Sequence, residues 1–350
     1  MADERLLAFF SLNQPRRQNV IRQVLTNKQT VSNLFWGLSY QLLNWLGVTP
    51  KLDKTTFDQQ ISELEKNLWL IRNQSDELLL TPLGKHHLQE FLANHYWRHH
   101  PELVQRFKVA QWQEMLTLVI QVFSEMSYQN RHYYVAAVSP QIQYWFKSWL
   151  RCYDYDRNQL QVQLPDLLFD FLQAKEPLEA NIFISFFGGH QIAGKTFQQL
   201  AEQTGWTPRE LKIFQQDSVL EFAVFLKKKG SAWTRLIKMF EKDSQFSKSS
   251  QASYQLFLTG TAIEEIAQRR HLKVSTIKEH LLEAAIFEDN FPFGQLIMPT
   301  VAEFFTQNFS SFPAKWDFQI AQKAGIEFFI FRLVQICETK KMLQEKVIDG

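Results

Sequence analysis

The chain has 350 residues, of which 45% are hydrophobic and 14% aromatic, so it has room for two or three domains with sizeable cores. This composition excludes a disordered protein. No apolar run reaches the ~20 residues that a membrane span needs. The cysteines, Cys152 and Cys337, are too few for a disulfide framework or a structural zinc site. The first residues, Met-Ala-Asp-Glu-Arg, lack a signal-peptide pattern, and we expect a cytoplasmic protein.

The composition predicts an all-α, multi-domain fold. Only 12 Gly and 11 Pro interrupt a chain rich in Leu, Gln, Glu and Lys, which favour helices. The formal net charge is +2, which alone says little about nucleic acid. Two segments, residues 5–52 and 224–248, are nevertheless rich in basic residues and are candidates for a phosphate-facing surface. The alternative for either segment is a solvated helix face.

Residues 1–94 are predicted to form a winged-helix-like domain. The spacing of apolar residues predicts helices at 20–25 and 31–46, and a third helix opens at Thr55. That third helix is expected to place Phe57, Ile61, Leu64 and Leu68 on its inner face. Strands at 69–72 and 77–81 flank a polar turn and predict a small β-hairpin. Such a domain can bind DNA or dock a protein, and the residues leave both uses open.

Residues 95–180 are predicted to form an aromatic-rich helical domain. Trp112, Tyr144, Trp145 and Trp149 recur at helical spacing, which is more typical of a core than of a surface that stacks on bases. Five histidines between residues 86 and 100 include a pair at i and i+4, but no acidic residue or cysteine completes a metal site nearby. We expect surface histidines there, and no metal or cofactor.

Residues 181–245 carry a first helix-turn-helix prediction. Thr196 with Gln199, and Thr207 with Glu210, have the spacing of capping boxes around a turn at Gly205. Arg209 and Lys212 are then expected to face outward as DNA-binding residues.

A segment at the start of this domain, Gly189–Thr196, also fits the phosphate-loop pattern G-x-x-x-x-G-K-[ST]. We find no alternation of strands and helices downstream, and no strand ending in a metal-binding Asp. The same residues are explained by a turn and a helix cap. Because no catalytic arrangement of Ser/His/Asp, Cys/His or paired carboxylates stands out either, we expect no enzyme.

Residues 246–350 carry the most informative motif. Residues 261–281 predict two short helices joined by a tight turn. Thr261 and Glu264 are expected to form a capping box, and Leu272 to be buried in the turn. The inward side chains are expected to be Ile263, Ile266, Ala267, Ile277 and Leu281. The predicted DNA-binding residues of this motif are Arg269, Arg270, Lys273, Ser275, Thr276 and Lys278.

This motif, with residues 253–260 before it and 328–333 after it, resembles the helix-turn-helix at the C-terminus of many RecQ-type helicases. The order of elements along the chain resembles the YpbB-like proteins, companions of RecQ-type helicases in low-GC Gram-positive bacteria. The resemblance implies a non-enzymatic protein that acts beside such a helicase. The motif is also similar to the helix-turn-helix of LuxR-type regulators, in which the residues matching Thr276 and Lys278 approach DNA. No upstream receiver or ligand-sensing domain accompanies it here.

Three functional hypotheses follow. The first is an adaptor that binds DNA weakly or non-specifically and docks on a RecQ-type helicase in DNA repair or recombination. The second is a transcription regulator that reads a specific operator. The third is a pure protein-interaction scaffold. The helix pair is charge-balanced, with four basic and four acidic residues between 264 and 283, which favours modest DNA affinity. The sequence does not indicate the DNA form that is preferred, the docking surface or the oligomeric state.

Overall fold

The structure, a computed structural model, describes residues 3–135, 139–153 and 157–348. The chain forms two compact units. The terminal unit contains residues 1–88 and 244–350, and the central unit contains residues 89–243. The mainly helical fold is confirmed, because the described residues contain a single sheet of two strands. None of the described helices is both long and apolar enough to cross a membrane.

The N-terminal part of the terminal unit has the winged-helix order that the sequence predicts. Strands β1 and β2 pair antiparallel, with Ile71 opposite Leu79. Thr81 then starts the next helix by accepting a hydrogen bond from the Gly84 N–H at 2.9 Å. The elements are α1 (Gln18–Leu25), α2 (Val31–Ser39), α3 (Lys54–Lys66), β1 (Leu70–Arg72), β2 (Leu78–Leu80) and α4 (Pro82–Asn94).

Two predicted features of this part differ in the structure. The helix predicted at 31–46 ends at Ser39, because Gln41 takes a left-handed conformation (φ 59°) and the chain then forms a short 3₁₀ turn at Leu43–Trp45. Leu68 was expected on the inner face of α3, but it is 68% exposed. The helix stops at Lys66 and Leu68 has φ 58°, so its side chain leaves the helical face.

The C-terminal part of the terminal unit is built around one helix, α15. Its inner side chains are almost completely buried, from Ile277 to Ile286. Helices α2, α13, α14 and α18 pack around it. The elements are α13 (Lys248–Leu258), α14 (Ile263–Arg270), α15 (Val274–Phe287), α16 (Pro299–Asn308), α17 (Phe318–Lys323) and α18 (Phe328–Ile348).

The first and last parts of the chain are joined within this unit by an arginine. The Arg332 guanidinium of α18 lies 4.0 Å from the ring centroid of Phe35 in α2 and 5.2 Å from that of Phe328. Burial lowers the pKa of Arg332 to about 10. Residues from both ends of the chain thus share one compact unit, and the four predicted domain ranges remain a prediction.

The central unit is a helical assembly with an aromatic core. Trp112 and Trp149 are buried as the spacing of aromatic residues predicts, and Trp233, which was not part of that prediction, is buried beside Trp149. Tyr144 differs, with 67% of its surface exposed, because it lies on the face of α7 opposite to Ile142 and Phe146. The elements are α5 (Pro101–Arg106), α6 (Val109–Ser127), α7 (Pro140–Arg151), α8 (Arg157–Gln173), α9 (Pro177–Ser185), α10 (Phe197–Thr204), α11 (Pro208–Lys227) and α12 (Ser231–Lys238).

The phosphate-loop-like segment has an ordinary structural role. The apolar residues before it form helix α9 and not a strand. The Gly189 N–H donates to the Ile192 carbonyl at 2.9 Å, and the His190 N–H donates to Ser124 Oγ at 3.0 Å. Thr196 caps α10 in a capping box with Gln199. Backbone N–H groups that would hold phosphate are therefore used inside the fold.

Histidines between residues 86 and 100 contact different side chains and are found in both units. In the terminal unit, His87 stacks on Trp69 with ring centroids 3.8 Å apart. In the central unit, His95 Nδ1 lies 2.8 Å from a carboxylate oxygen of Glu210, and His100 contacts the carboxylate of Glu102. Within the described part of the chain, no group of three His, Cys, Asp or Glu side chains is placed to hold a metal ion.

Candidate nucleic-acid interface

Helices α14 and α15 form the predicted helix-turn-helix. His271 ends α14 in a left-handed conformation (φ 52°), and the Leu272 N–H donates to the Ala267 carbonyl at 2.9 Å. Leu272 is half-buried and Lys273 occupies the N-cap position of α15, which starts at Val274 as predicted. The turn between the helices is therefore as short as the sequence indicates.

The inner face of this pair also follows the prediction. Ile266, Ile277 and Leu281 are completely buried and Ala267 is 5% exposed. Ile263 is only half-buried, since it lies in the first turn of α14. Apolar residues at helical spacing thus fix how the two helices cross.

The predicted cap of α14 is wrong. Ala262 and not Thr261 occupies the N-cap position, and no side chain caps the helix. Thr261 instead completes the end of α13, where its N–H donates to the Leu256 carbonyl at 3.3 Å behind Gly260 with φ 82°. This is the hydrogen-bond pattern of a Schellman motif, and it places Thr261 one residue too early to cap α14.

Three predicted DNA-binding residues lie at the accessible start of α15. Lys273 and Ser275 are exposed, and Thr276 is half-buried beside them. No ion pair involves Lys273 among the described residues. The start of a recognition helix is the part that meets base edges in helix-turn-helix proteins. These residues are therefore placed where a duplex can approach.

Three other predicted residues are held by protein groups. The Arg270 guanidinium donates to the Ser249 carbonyl at 2.6 Å and also to Ser253 Oγ. Lys278 Nζ lies 2.5 Å from a Glu327 carboxylate oxygen and 5.5 Å from the centroid of the Phe329 ring. A third cation, Arg269, pairs with the exposed carboxylate of Glu265 at 2.6 Å. Binding of DNA by any of these three would have to replace an existing contact.

One side of α15, including Ser275 of its accessible start, faces a cavity. Ser275, Lys278 and Glu279 line this cavity of about 860 Å³ together with Thr30, the N-cap of α2, and Arg332 of α18. The sequence did not indicate that α2 and α18 would flank this helix, since their apolar patterns do not specify a partner. The exposed residues of α15 itself are Ser275 and Glu279, both in its first two turns.

The second predicted helix-turn-helix, α10–α11, is also present. Both capping boxes form, with Thr196 and Thr207 as N-caps, and Gly205 closes α10 with φ 76°. Arg209 and Lys212 are exposed in the first turns of α11, as expected. The remainder of α11 lies in the core of the central unit. The fully exposed residues of α11 lie in its first turns, and some later side chains, such as Lys227, are half-buried.

The arginines around the hairpin of the N-terminal winged helix are paired, whereas lysines outside the hairpin, such as Lys51, Lys66 and Lys85, are exposed without an ion pair among the described residues. Arg72 in β1 is held by Glu65 at 2.8 Å and Asp76 at 2.6 Å, and Arg17 pairs with Glu77 at 3.2 Å.

Large apolar side chains are exposed around the same hairpin. Three such residues are Ile71 in β1, which is 58% exposed, Leu68, which is 68% exposed, and Leu83, which is 55% exposed. We call these three residues the hairpin patch.

Comparisons with known proteins agree with the sequence resemblance. Residues 249–335 match a family described as a helix-turn-helix domain. The chain is similar to Protein YpbB of Bacillus subtilis (strain 168), with 24% identity over 288 residues that cover 80% of each chain. No solved structure matches. The resemblance to YpbB-like helix-turn-helix proteins is thereby confirmed.

Proposed function

We propose that this protein is a non-enzymatic, DNA-associated adaptor that works with a RecQ-type helicase in DNA repair or recombination. The observation that carries the DNA part is the exposed start of α15, with Lys273 and Ser275, inside a matched helix-turn-helix domain. Thr276 adds a hydroxyl beside them, and Arg209 and Lys212 offer a second, smaller contact at the start of α11.

Weak or non-specific DNA binding is supported by the state of the cations around α15. Arg269, Arg270 and Lys278 already contact protein groups, so little unpaired positive charge remains to neutralise phosphates. The acidic side chains of Glu279 and Glu327 lie close to Lys278, and their negative charge would repel a phosphate backbone. A sequence-specific regulator needs a stronger phosphate-binding surface around its recognition helix.

Docking on a helicase is proposed for the hairpin patch. Leu68 precedes β1, Ile71 lies in β1 and Leu83 lies in the first turn of α4 directly after β2; all three side chains are exposed, while the neighbouring arginines are paired. Apolar anchors of this kind dominate the binding energy of protein interfaces. The RecQ-type partner itself is proposed from the family resemblance.

The DNA contact is tested by fluorescence anisotropy with duplex, forked and single-stranded oligonucleotides across a salt series. We expect Lys273→Glu with Ser275→Glu to weaken binding about tenfold or more, because two negative charges enter the contact. The matched control is Lys85→Glu with Ser310→Glu, two exposed positions of the same types in the same unit. Equal loss in both variants would contradict the assignment of α15.

The same assay separates the alternatives. A regulator should prefer its operator over random duplex by ~10³-fold or more, whereas an adaptor should show little preference. A pure scaffold should bind no DNA even at low salt.

Helicase docking is tested by calorimetry with a purified RecQ-type helicase. We expect Ile71→Ser with Leu83→Ser to abolish the interaction and to leave DNA affinity unchanged. The control is Ile320→Ser, an exposed apolar position of α17 in the same unit, 43% exposed. Unchanged helicase binding by the double variant would assign docking to another surface.

A further inference from the structure

Cations from two distant segments of the central unit meet where α5 ends and α12 ends. The Lys242 N–H donates to the Arg106 carbonyl at 2.8 Å, and the Lys108 N–H donates to the Phe240 carbonyl at 2.8 Å. Lys108 Nζ also reaches the Met239 carbonyl at 3.2 Å. These bonds hold the side chains of residues 106–108 beside those that follow α12.

Helix α12 adds two more cations to the same region. It buries Ala232, Trp233, Leu236 and Ile237, which leaves Arg235 and Lys238 exposed on the opposite face. Lys238 lies one turn before Lys242, so the charges continue from the helix into the segment after it. We call the five residues the cationic surface: Arg106, Lys108, Arg235, Lys238 and Lys242.

This surface has little counter-charge. Among the described residues, none of the five cations has a carboxylate within ion-pair distance. Three acidic residues lie within four positions of these cations in sequence: Glu241 is bonded to Lys227 at 2.6 Å, Glu102 contacts His100 at 3.1 Å, and Asp243 is exposed. Burial lowers the pKa of Lys242, whose Nζ also donates to the Val104 carbonyl at 3.4 Å, and a nearby phosphate would favour its charged form.

The surface also lacks apolar anchors. In the described part of the chain, no exposed large apolar side chain lies within residues 101–112 or 228–243. Protein interfaces derive most of their binding energy from buried aromatic, Met and Arg anchors with apolar surroundings. A surface of cations alone fits a regular polyanion, whose affinity comes from the release of counterions.

We propose that the cationic surface binds the phosphate backbone of DNA, as a contact that is separate from α15 and from the start of α11. The proposal rests on the proposed function in taking DNA as the polyanion. It gives the protein sequence-independent affinity that the largely engaged cations around α15 do not supply. The recognition helix then contributes position, and the cationic surface contributes most of the salt dependence.

The test is a salt titration of the full chain with a fluorescein-labelled duplex of random sequence. The variant is Arg106→Gln with Arg235→Gln and Lys238→Gln, which removes three cations that make no side-chain hydrogen bond or ion pair among the described residues. We expect the slope of log affinity against log salt to fall by about 0.9 for each lost phosphate contact. Affinity near physiological salt should fall about tenfold or more. The control, Lys51→Gln with Lys66→Gln and Lys85→Gln, has the same net charge and should keep the slope.

The outcomes separate this inference from the proposed function. If the Lys273→Glu and Ser275→Glu variant loses binding and the cationic-surface variant keeps the wild-type slope, the inference fails and the function stands. If only the cationic-surface variant loses slope, the assignment of α15 fails and the inference stands. Loss of helicase binding with unchanged DNA binding would overturn the inference in favour of a protein contact. No DNA binding by the unaltered chain contradicts both.

Discussion

Cations that look alike in the helix-turn-helix sequence have different roles in the structure. Arg270 joins α14 to α13 through Ser249 and Ser253, whereas Lys273 projects at the start of α15 without an ion pair among the described residues. A basic residue in this motif is therefore not by itself a DNA contact. Its role depends on whether a neighbouring helix offers an acceptor.

This difference predicts opposite effects of two substitutions. Arg270→Ala should lower the free energy of unfolding by about 1–2 kcal/mol, because it removes hydrogen bonds between two helices. Lys273→Ala should change that free energy by less than about 0.5 kcal/mol but weaken DNA binding. Urea unfolding and anisotropy on both variants measure the two effects. A stability loss in Lys273→Ala alone would reverse the assignment.

His280 predicts a pH dependence of stability. It bonds to Ser253 Oγ at 2.9 Å, and burial and then the charge of Arg270 lower its pKa below the ordinary 6.5, against the opposing charges of Glu283 and Glu279. The unfolded state then binds the proton more readily, so stability is present above pH 6.5 and is lost as the pH falls through the lowered pKa.

The measurement is urea unfolding between pH 8 and 5.5 for the wild type and His280→Gln. Glutamine keeps a hydrogen-bonding group but cannot titrate, so the variant should lose less stability on acidification. Parallel curves for the two proteins would show that His280 does not contribute. Comparing wild type and variant cancels the contributions of the other histidines.

At the scale of the element, two similar sequence signals gave different caps. Thr207 forms the predicted capping box with Glu210, and the box is reinforced because Glu210 also bonds to His95 and the Tyr96 N–H. Thr261 has the same spacing to Glu264 but completes the end of α13 instead. A capping pattern is decided by where the preceding helix ends, and Gly260 sets that end by its left-handed conformation.

We expect the two threonines to differ in stability. Thr207→Ala should lower the free energy of unfolding by about 1 kcal/mol, the ordinary cost of losing an N-cap side chain. Thr261→Ala should cost less than about 0.5 kcal/mol, since its backbone N–H is kept and its hydroxyl makes only an exposed contact, 3.3 Å from Thr259 Oγ1. Chemical unfolding followed by tryptophan fluorescence compares them. A larger loss for Thr261→Ala would restore the predicted cap.

At the scale of the whole molecule, the helix-turn-helix depends on residues more than 200 positions away in the chain. Helix α2 covers part of α15, and Phe35 stacks on Arg332 of α18. A hydrophobic core made from both ends of a chain leaves each end incomplete alone. The proposed contact at α15 and the hairpin patch therefore lie on one unit, whereas the cationic surface lies on the central unit.

This arrangement predicts that a fragment of residues 246–350 is less stable than the same residues in the full chain. Without α2, the fragment lacks the Phe35 ring that contacts Arg332 and the helix that covers part of α15. Thermal unfolding by circular dichroism should show a lower midpoint for the fragment, and adding a fragment of residues 1–94 should raise it. A fragment that melts like the full chain would show that α2 is not required.

The sequence by itself determined the local features of this protein. Helical spacing, capping residues and glycines predicted both helix-turn-helix pairs, the hairpin and the inward residues Ile266, Ile277 and Leu281. These features depend on neighbours within about four residues, which is the range over which a helix or a tight turn is set. The resemblance to RecQ-type helicases came from the same local motif, whereas the resemblance to YpbB-like proteins came from the order of elements along the chain.

Only the tertiary structure decided which charged residues are available. Lys278 meets Glu327 across 49 residues and Arg270 meets Ser249 across 21, and the cationic surface joins residues 106–108 to 235–242. Sequence spacing holds no information about such pairs, because a charged head at the end of a long side chain takes whichever partner the packed helices bring to it. Thus the sequence predicts the helix-turn-helix, but it does not predict which of the cations in this motif are accessible.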